Sequence, residues 1–126
     1  MIPRYTTPEM KALWSEENRY QAWLEVELLS CEAWARLGVI PEAAVTGLRE
    51  RCRVDVGRIE AIEAEVKHDV IAFVTAVAET AGEAGRYLHY GLTSYDVVDT
   101  ALSWLMRRAA GLILAELHQL AGVLAD

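Results

Sequence analysis

His89-Tyr90-Gly91-Leu92-Thr93-Ser94-Tyr95-Asp96 leads without a break into Val97–Leu124, the longest apolar-periodic run in the chain. That order is a loop feeding a helix N-terminus. Gly91 admits backbone angles closed to other residues, Thr93 or Ser94 is suited to cap the helix, and Asp96 follows Thr93 at capping-box spacing. A helix start of this kind exposes unpaired N–H groups and roughly half a positive elementary charge, which favours a carboxylate or phosphate ligand. Taken alone, Thr-x-x-Asp ahead of an apolar run is an ordinary cap, and local chemistry favours structure over function for it.

Beyond Ser94, residues Val98, Ala101, Leu102, Leu105, Ala109, Leu112, Ile113, Leu117, Leu120 and Leu124 recur at about the helical period. The spacing predicts one helix to the end of the chain. At about 1.5 Å per residue it exceeds roughly 40 Å, too long for a compact domain of this size. The expectation is therefore a truncated piece whose long helix has partner helices elsewhere, native or from other subunits. His118, midway along that helix, reads as packed or surface-exposed.

Upstream, helices are predicted throughout. Thr7-Pro8-Glu9 has the form of a cap, a proline at the first helical position and an acid in the first turn, which leaves Arg4 and Tyr5 in an extended arm. Ser15 caps a second helix that Gly38 ends, with Tyr20, Trp23, Leu24, Leu28, Cys31, Trp34 and Ala35 on its apolar face and Glu27 apart from it. Trp14, Trp23 and Trp34 at helical spacing read as core or interface. A helix from Ile40 to about Arg53 carries Arg49, Glu50, Arg51 and Arg53 as a solvated face. Asp55 caps Val56–Val66, whose stripe is Ile59, Ile62 and Val66 and whose Glu60, Glu63 and Glu65 face solvent.

Lys67-His68-Asp69 interrupts the pattern before a strongly apolar helix from Val70 to about Ala81. Asp69 near its start complements the helix dipole, so an ordinary structural explanation stands level with a binding site. Gly82 and Gly85 bracket the turn that returns to residue 86.

The chain has 126 residues, 53% hydrophobic and 25% charged, which suits one small folded domain or part of a larger one. Its net charge of −7 repels polyanions, so nucleic acid is a poor partner. Arg4, Lys67, Arg86, His68 and His89 all lie in or beside predicted turns, where they can gather for a small anion. No run of about 18 apolar residues and no signal peptide is present, and Cys31 and Cys52 read as reduced. A cytoplasmic protein without a membrane partner is the simplest fit.

Tyr87-Leu88-His89-Tyr90-Gly91-Leu92-Thr93-Ser94-Tyr95-Asp96-Val97-Val98-Asp99-Thr100-Ala101 resembles the Thr-Ser segment of the adenylosuccinate lyase family, within the fumarase and aspartase superfamily. Arg4-Tyr5 and Lys67-His68-Asp69 match at family-like spacing, and the resemblance runs the length of the chain. Tyr95 departs from it, standing where a small hydroxyl residue is common.

The resemblance implies an all-α fold: an N-terminal helical domain, residues 1–92, followed by the first long helix of a central helix bundle, residues 93–126. It implies a homotetrameric enzyme that removes fumarate from succinylated purine nucleotide intermediates with no metal or other cofactor. Substrate-binding residues would be Arg4 and Tyr5 for the phosphate, Lys67, His68 and Asp69, Thr93 and Ser94 for a carboxylate, and His89 on the nucleotide side. His68 would also assist catalysis. The family's general acid, a histidine in a later Thr-Ser segment, and its base, a serine on a Gly-Ser-Ser loop, do not occur here, so this chain alone is expected to be inactive. Two alternatives stand beside it: a non-catalytic helical interaction module, and a superfamily lyase acting on argininosuccinate or a carboxymuconate.

Overall fold

The computed structural model describes residues 2–125, and all regular structure among them is helical. Asp126, the last residue of the expected bundle segment, lies outside the described residues. The helices are α1 (Pro8–Leu13), α2 (Glu16–Arg36), α3 (Glu42–Arg51), α4 (Val56–Val66), α5 (Asp69–Ala81) and α6 (Ser94–Ala125), with 3₁₀ turns at Pro3–Tyr5 and Gly82–Tyr87.

Each boundary has a local cause. Thr7 Oγ1 accepts from the Met10 N–H at 3.3 Å, Ser15 Oγ from Asn18 at 3.2 Å and Asp55 Oδ1 from Arg58 at 3.0 Å, so α1, α2 and α4 have side-chain caps, and His68 Nδ1 stands in the same place for α5. The end of α2 is a Schellman motif. Gly38, at φ +73°, donates to Ala35 O at 2.8 Å and Val39 donates to Trp34 O at 3.0 Å. The left-handed residue ending α4 is Lys67, at φ +57°.

The core centres on three rings. Tyr20 stacks on Phe73 with centroids 5.8 Å apart, and Trp23 meets both edge-on at 5.3 and 5.4 Å. They join α2 to α5, and α4 covers α5 with Ile59 and Ile62. On the other side α2 receives α6 through Val97, Ala101, Leu105 and Ala109, one residue per helical turn, with two alanines that permit close approach. Gly85 is where the return turn presses on α5: a Cβ there would lie 2.8 Å from Ala78 O.

Three expectations need correction. Val66 is 45% exposed, because the left-handed turn at Lys67 ends α4 before its last residue reaches the core. Arg49 is not simply solvated, since its guanidinium bonds Glu25 at 2.7 Å and Glu32 at 2.8 Å and clamps α3 to α2. Arg51 is likewise engaged, through Nε to Ala81 O at 3.2 Å, whereas Arg53 is exposed as expected and uses its backbone N–H, not its side chain, to reach Thr80 Oγ1. The distal half of α6 keeps its apolar residues but covers little of them: Leu112 is half-buried, while Ile113, Leu117, Leu120 and Leu124 are each more than half exposed.

Phe73→Ala removes one ring of the triad and is expected to cost about 3–5 kcal/mol in urea unfolding. A loss below about 1 kcal/mol would mean the three rings are not the centre of the core.

Candidate functional site

The loop before α6 is fastened to one face of α2. Glu27, Cys31 and Trp34 lie four and three residues apart and so project the same way. Glu27 Oε2 accepts the His89 N–H at 2.6 Å, and its Oε1 lies 2.6 Å from His89 Nδ1. Cys31 Sγ donates to Tyr87 O at 3.3 Å, and Trp34 Nε1 to Tyr90 O at 3.0 Å. Tyr90 also meets the Trp34 ring edge-on, and Gly91, at φ +73°, passes so close to Trp34 that a Cβ would sit 3.1 Å from it.

Glu27 is the residue that sequence reasoning set aside. It is 1% exposed, inside the stripe it was separated from. A carboxylate is tolerated there because both oxygens are bonded. The available signal was a lone acid in register with Leu24, Leu28 and Cys31.

At the head of α6, the cap comes from Asp96, whose carboxylate takes the Thr93 N–H at 2.8 Å while the Asp96 N–H donates to Thr93 O at 3.0 Å. This is the returning half of a capping box. The Thr93 and Ser94 hydroxyls and the Ser94 and Tyr95 N–H groups find no acceptor among the described residues, so four donors are left unpaired at the end of α6 where the helix dipole is positive.

The 67–69 hinge is split. His68 is the N-cap of α5, with Nδ1 3.4 Å from the Ile71 N–H and 3.6 Å from Asp69 Oδ1. The two contacts demand opposite protonation of Nδ1, and both are long. Asp69 bonds the Val70 N–H at 2.7 Å and shares a cavity of about 190 Å³ with Val98 and Leu102, so it faces the first turns of α6. Lys67 turns to the other side, into a cleft with Glu60 and Glu63.

The N-terminal arm lies elsewhere. Arg4 Nη2 bonds the Tyr5 hydroxyl at 3.0 Å, and its guanidinium sits 4.7 Å from the Tyr5 ring centroid. Tyr5, 69% exposed, lines a cleft of about 580 Å³ whose far wall runs from Leu112 to Leu120 of α6. Leu112 is eighteen residues beyond Ser94. At about 1.5 Å per residue the two are about 27 Å apart along the helix. One chain therefore brings Asp69 near the head of α6 but does not bring Arg4 and Tyr5 there, and the expected meeting of all three clusters does not occur within it. His118 is exposed. Among the described residues no three His, Cys, Asp or Glu side chains gather at metal-binding distance, and no helix is long and apolar enough to cross a membrane.

Residues 3–126 match the model of a family described as lyase, and the chain belongs to that lyase family. It is 52% identical over all 126 residues to the adenylosuccinate lyases of Bacillus subtilis and of Staphylococcus saprophyticus, covering 29% of each. The chain thus spans under a third of the length of these curated relatives. Among solved structures it resembles a 3-carboxy-cis,cis-muconate lactonizing enzyme from Pseudomonas putida, at TM-score 0.85 and 34% identity over 93% of this chain and 28% of that one. It also resembles a fumarate lyase from Mesorhizobium sp. BNC1, at TM-score 0.76 and 32% identity over 83% and 26%. The all-α, superfamily-like architecture read from the sequence is what these matches share.

Burial, with Glu27, Cys52 and Glu32 adding to it, pushes the Cys31 thiol up to about 11. An unfolded chain ionises this thiol near about 8.5. Stability from the retained proton is therefore complete below that value and lost as pH rises toward 11. Urea midpoints should fall over that window, and a Cys31→Ser variant should lose part of the slope; identical slopes would remove Cys31 as its source.

Proposed function

We propose that this chain is the N-terminal part of an adenylosuccinate lyase, which eliminates fumarate from adenylosuccinate, giving AMP, and from SAICAR, giving AICAR, in purine biosynthesis. The observation that carries the reading is 52% identity across every residue of the chain to two enzymes of that name. Arg4-Tyr5, Lys67-His68-Asp69 and Thr93-Ser94 all lie within the matched span.

The chemistry suits these residues. A β-elimination needs a base for a carbon-bound proton, an acid for the departing nitrogen, and donors for the carboxylate that gathers negative charge in between. The head of α6 offers donors of that kind: two hydroxyls and two N–H groups without acceptors among the described residues. Hydrogen bonds to a charged group contribute roughly 1.5–3 kcal/mol each. His68 and Asp69 would flank the same end, with His68 assisting by binding or polarising an anion, and Lys67 would swing from its cleft to join them. His89 would meet the nucleotide side. Arg4 supplies the forked donor a phosphate prefers, and Tyr5 a hydroxyl and a ring face. The general acid and base would come from the remainder of the polypeptide, so residues 1–126 alone would not turn over.

The separation of Arg4 from Ser94 sets a condition on this reading. The arm's cleft meets α6 from Leu112 onward, about 27 Å along the helix from Ser94 and farther than a ligand of nucleotide size spans, so the phosphate-binding arm at a given site would come from a different copy than the head of α6. A cytoplasmic homotetramer with composite sites meets that condition. The exposed apolar residues of distal α6 support the same arrangement, with 1–92 as the N-terminal domain and 93–126 as the first helix of a shared central bundle. A superfamily lyase with another fumarate-type substrate is the second reading, favoured by the close fold of the muconate enzyme. Its 34% identity against 52% places it behind.

Fumarate release from adenylosuccinate by the intact protein is the first test; turnover of a carboxymuconate or argininosuccinate instead would select the second reading. In that protein Ser94→Ala should lower kcat about 100-fold with its unfolding midpoint little changed. Wild-type turnover in the folded variant would remove Ser94 from the site. Co-assembling Arg4→Ala and Ser94→Ala subunits should restore part of the activity missing from either alone, because some mixed sites draw both residues from unaltered copies. No recovery would place both residues in sites built by single chains.

A further inference from the structure

Among the described residues, Glu27 is the only charged side chain in the buried core. Both its oxygens are spent on one residue 62 positions away, which holds His89 by the backbone N–H and by ring Nδ1, each at 2.6 Å. A carboxylate only accepts, so the ring proton is on Nδ1 whether the imidazole is neutral or charged. The other nitrogen, Nε2, makes no hydrogen bond among the described residues, and the side chain is 25% exposed. His89 also sits at φ +60°, in the left-handed region that residues with a Cβ rarely adopt. Backbone held in such a conformation by its surroundings is characteristic of ligand sites, and Ser94 begins α6 five residues on.

We propose that Glu27 is a positioning residue for the ligand site at the head of α6: it fixes His89 in the Nδ1–H form and presents Nε2 to the bound nucleotide. This rests on the lyase reading above and adds a residue to it. Two constraints act together. The bond to the backbone N–H sets where the loop leaves Leu88, and the bond to Nδ1 sets which nitrogen is left to face outward. Neither depends on the protonation state of the ring. Glu27 touches no ligand itself; it acts through the imidazole and through the strained turn that delivers the chain to Thr93.

The test uses the intact protein. Glu27→Gln keeps the shape but replaces one acceptor oxygen with an amide NH₂. The remaining oxygen retains the His89 N–H, so the NH₂ faces Nδ1, which must then accept, and the ring proton moves to Nε2. Nitrogen-15 shifts of the neutral His89 ring should report Nδ1–H in the wild type and Nε2–H in the variant. Fumarate release from adenylosuccinate should fall at least about tenfold in kcat/KM. Glu27→Asp, which keeps two acceptor oxygens, should restore the Nδ1–H form and part of the rate. Wild-type turnover in the folded Gln variant, or a ring proton that stays on Nδ1 there, overturns the proposal. If the Gln variant does not fold, the wild type decides: AMP with fumarate must move the Nε2 resonance while Nδ1 stays protonated, and an unmoved Nε2 overturns the proposal. The ring measurement needs no turnover. An intact protein that releases no fumarate therefore refutes the lyase reading, while Glu27's hold on Nδ1 is still judged on the nitrogen shifts.

Discussion

The grip of α2 on the loop at 87–91 is the interaction on which the rest depends. α2 is the longest element of the N-terminal part, capped by Ser15 and closed by the Schellman turn at Gly38. Its one face stacks Tyr20 and Trp23 on Phe73, and further along it takes hold of the loop through Glu27, Cys31 and Trp34. Since these anchors belong to one rigid helix, the aromatic core and the head of α6 are placed relative to each other without a flexible link. Remove the anchors and α6 would still pack on α2 through Val97 to Ala109, but the loop at 87–91 that leads into it would lose its fixed course.

From that origin α6 acts as a ruler. Its 32 residues extend about 48 Å. Val97 to Ala109 lie against α2, and the helix then runs on with Leu117, Leu120 and Leu124 uncovered. The same straightness carries Leu112 and Leu117, which face Tyr5 across a cleft, far from Ser94.

Local features were legible in the sequence and distant pairings were not. Thr7, Ser15, Asp55 and Gly38 announce helix ends by residue type and spacing, and the helices fall where those signals put them. The apolar periodicity of α6 also reads correctly as a continuous helix with more apolar surface than one chain covers. Glu27 illustrates the limit. A carboxylate looks solvated until its partner is known, and that partner is 62 residues away. Arg49 was misread for the same reason, its two glutamates being 17 and 24 positions earlier. For the site, the three polar clusters were visible as motifs, but their placement depended on how α1 and α5 pack along α6, which no spacing within the sequence encodes. The Thr93 cap was half right: the motif is present, yet Asp96 makes the bond and leaves the hydroxyl free.

Amide hydrogen exchange at His89 tests the central claim most directly. The residue lies in an irregular loop, and its neighbour Tyr90 donates its N–H to nothing among the described residues. If the buried Glu27 carboxylate holds the loop, the His89 amide exchanges within about tenfold of the α2 core amides while Tyr90 exchanges fast. A His89 amide that exchanges as fast as Tyr90 would contradict the account, because Glu27 would then not hold the loop that leads into α6.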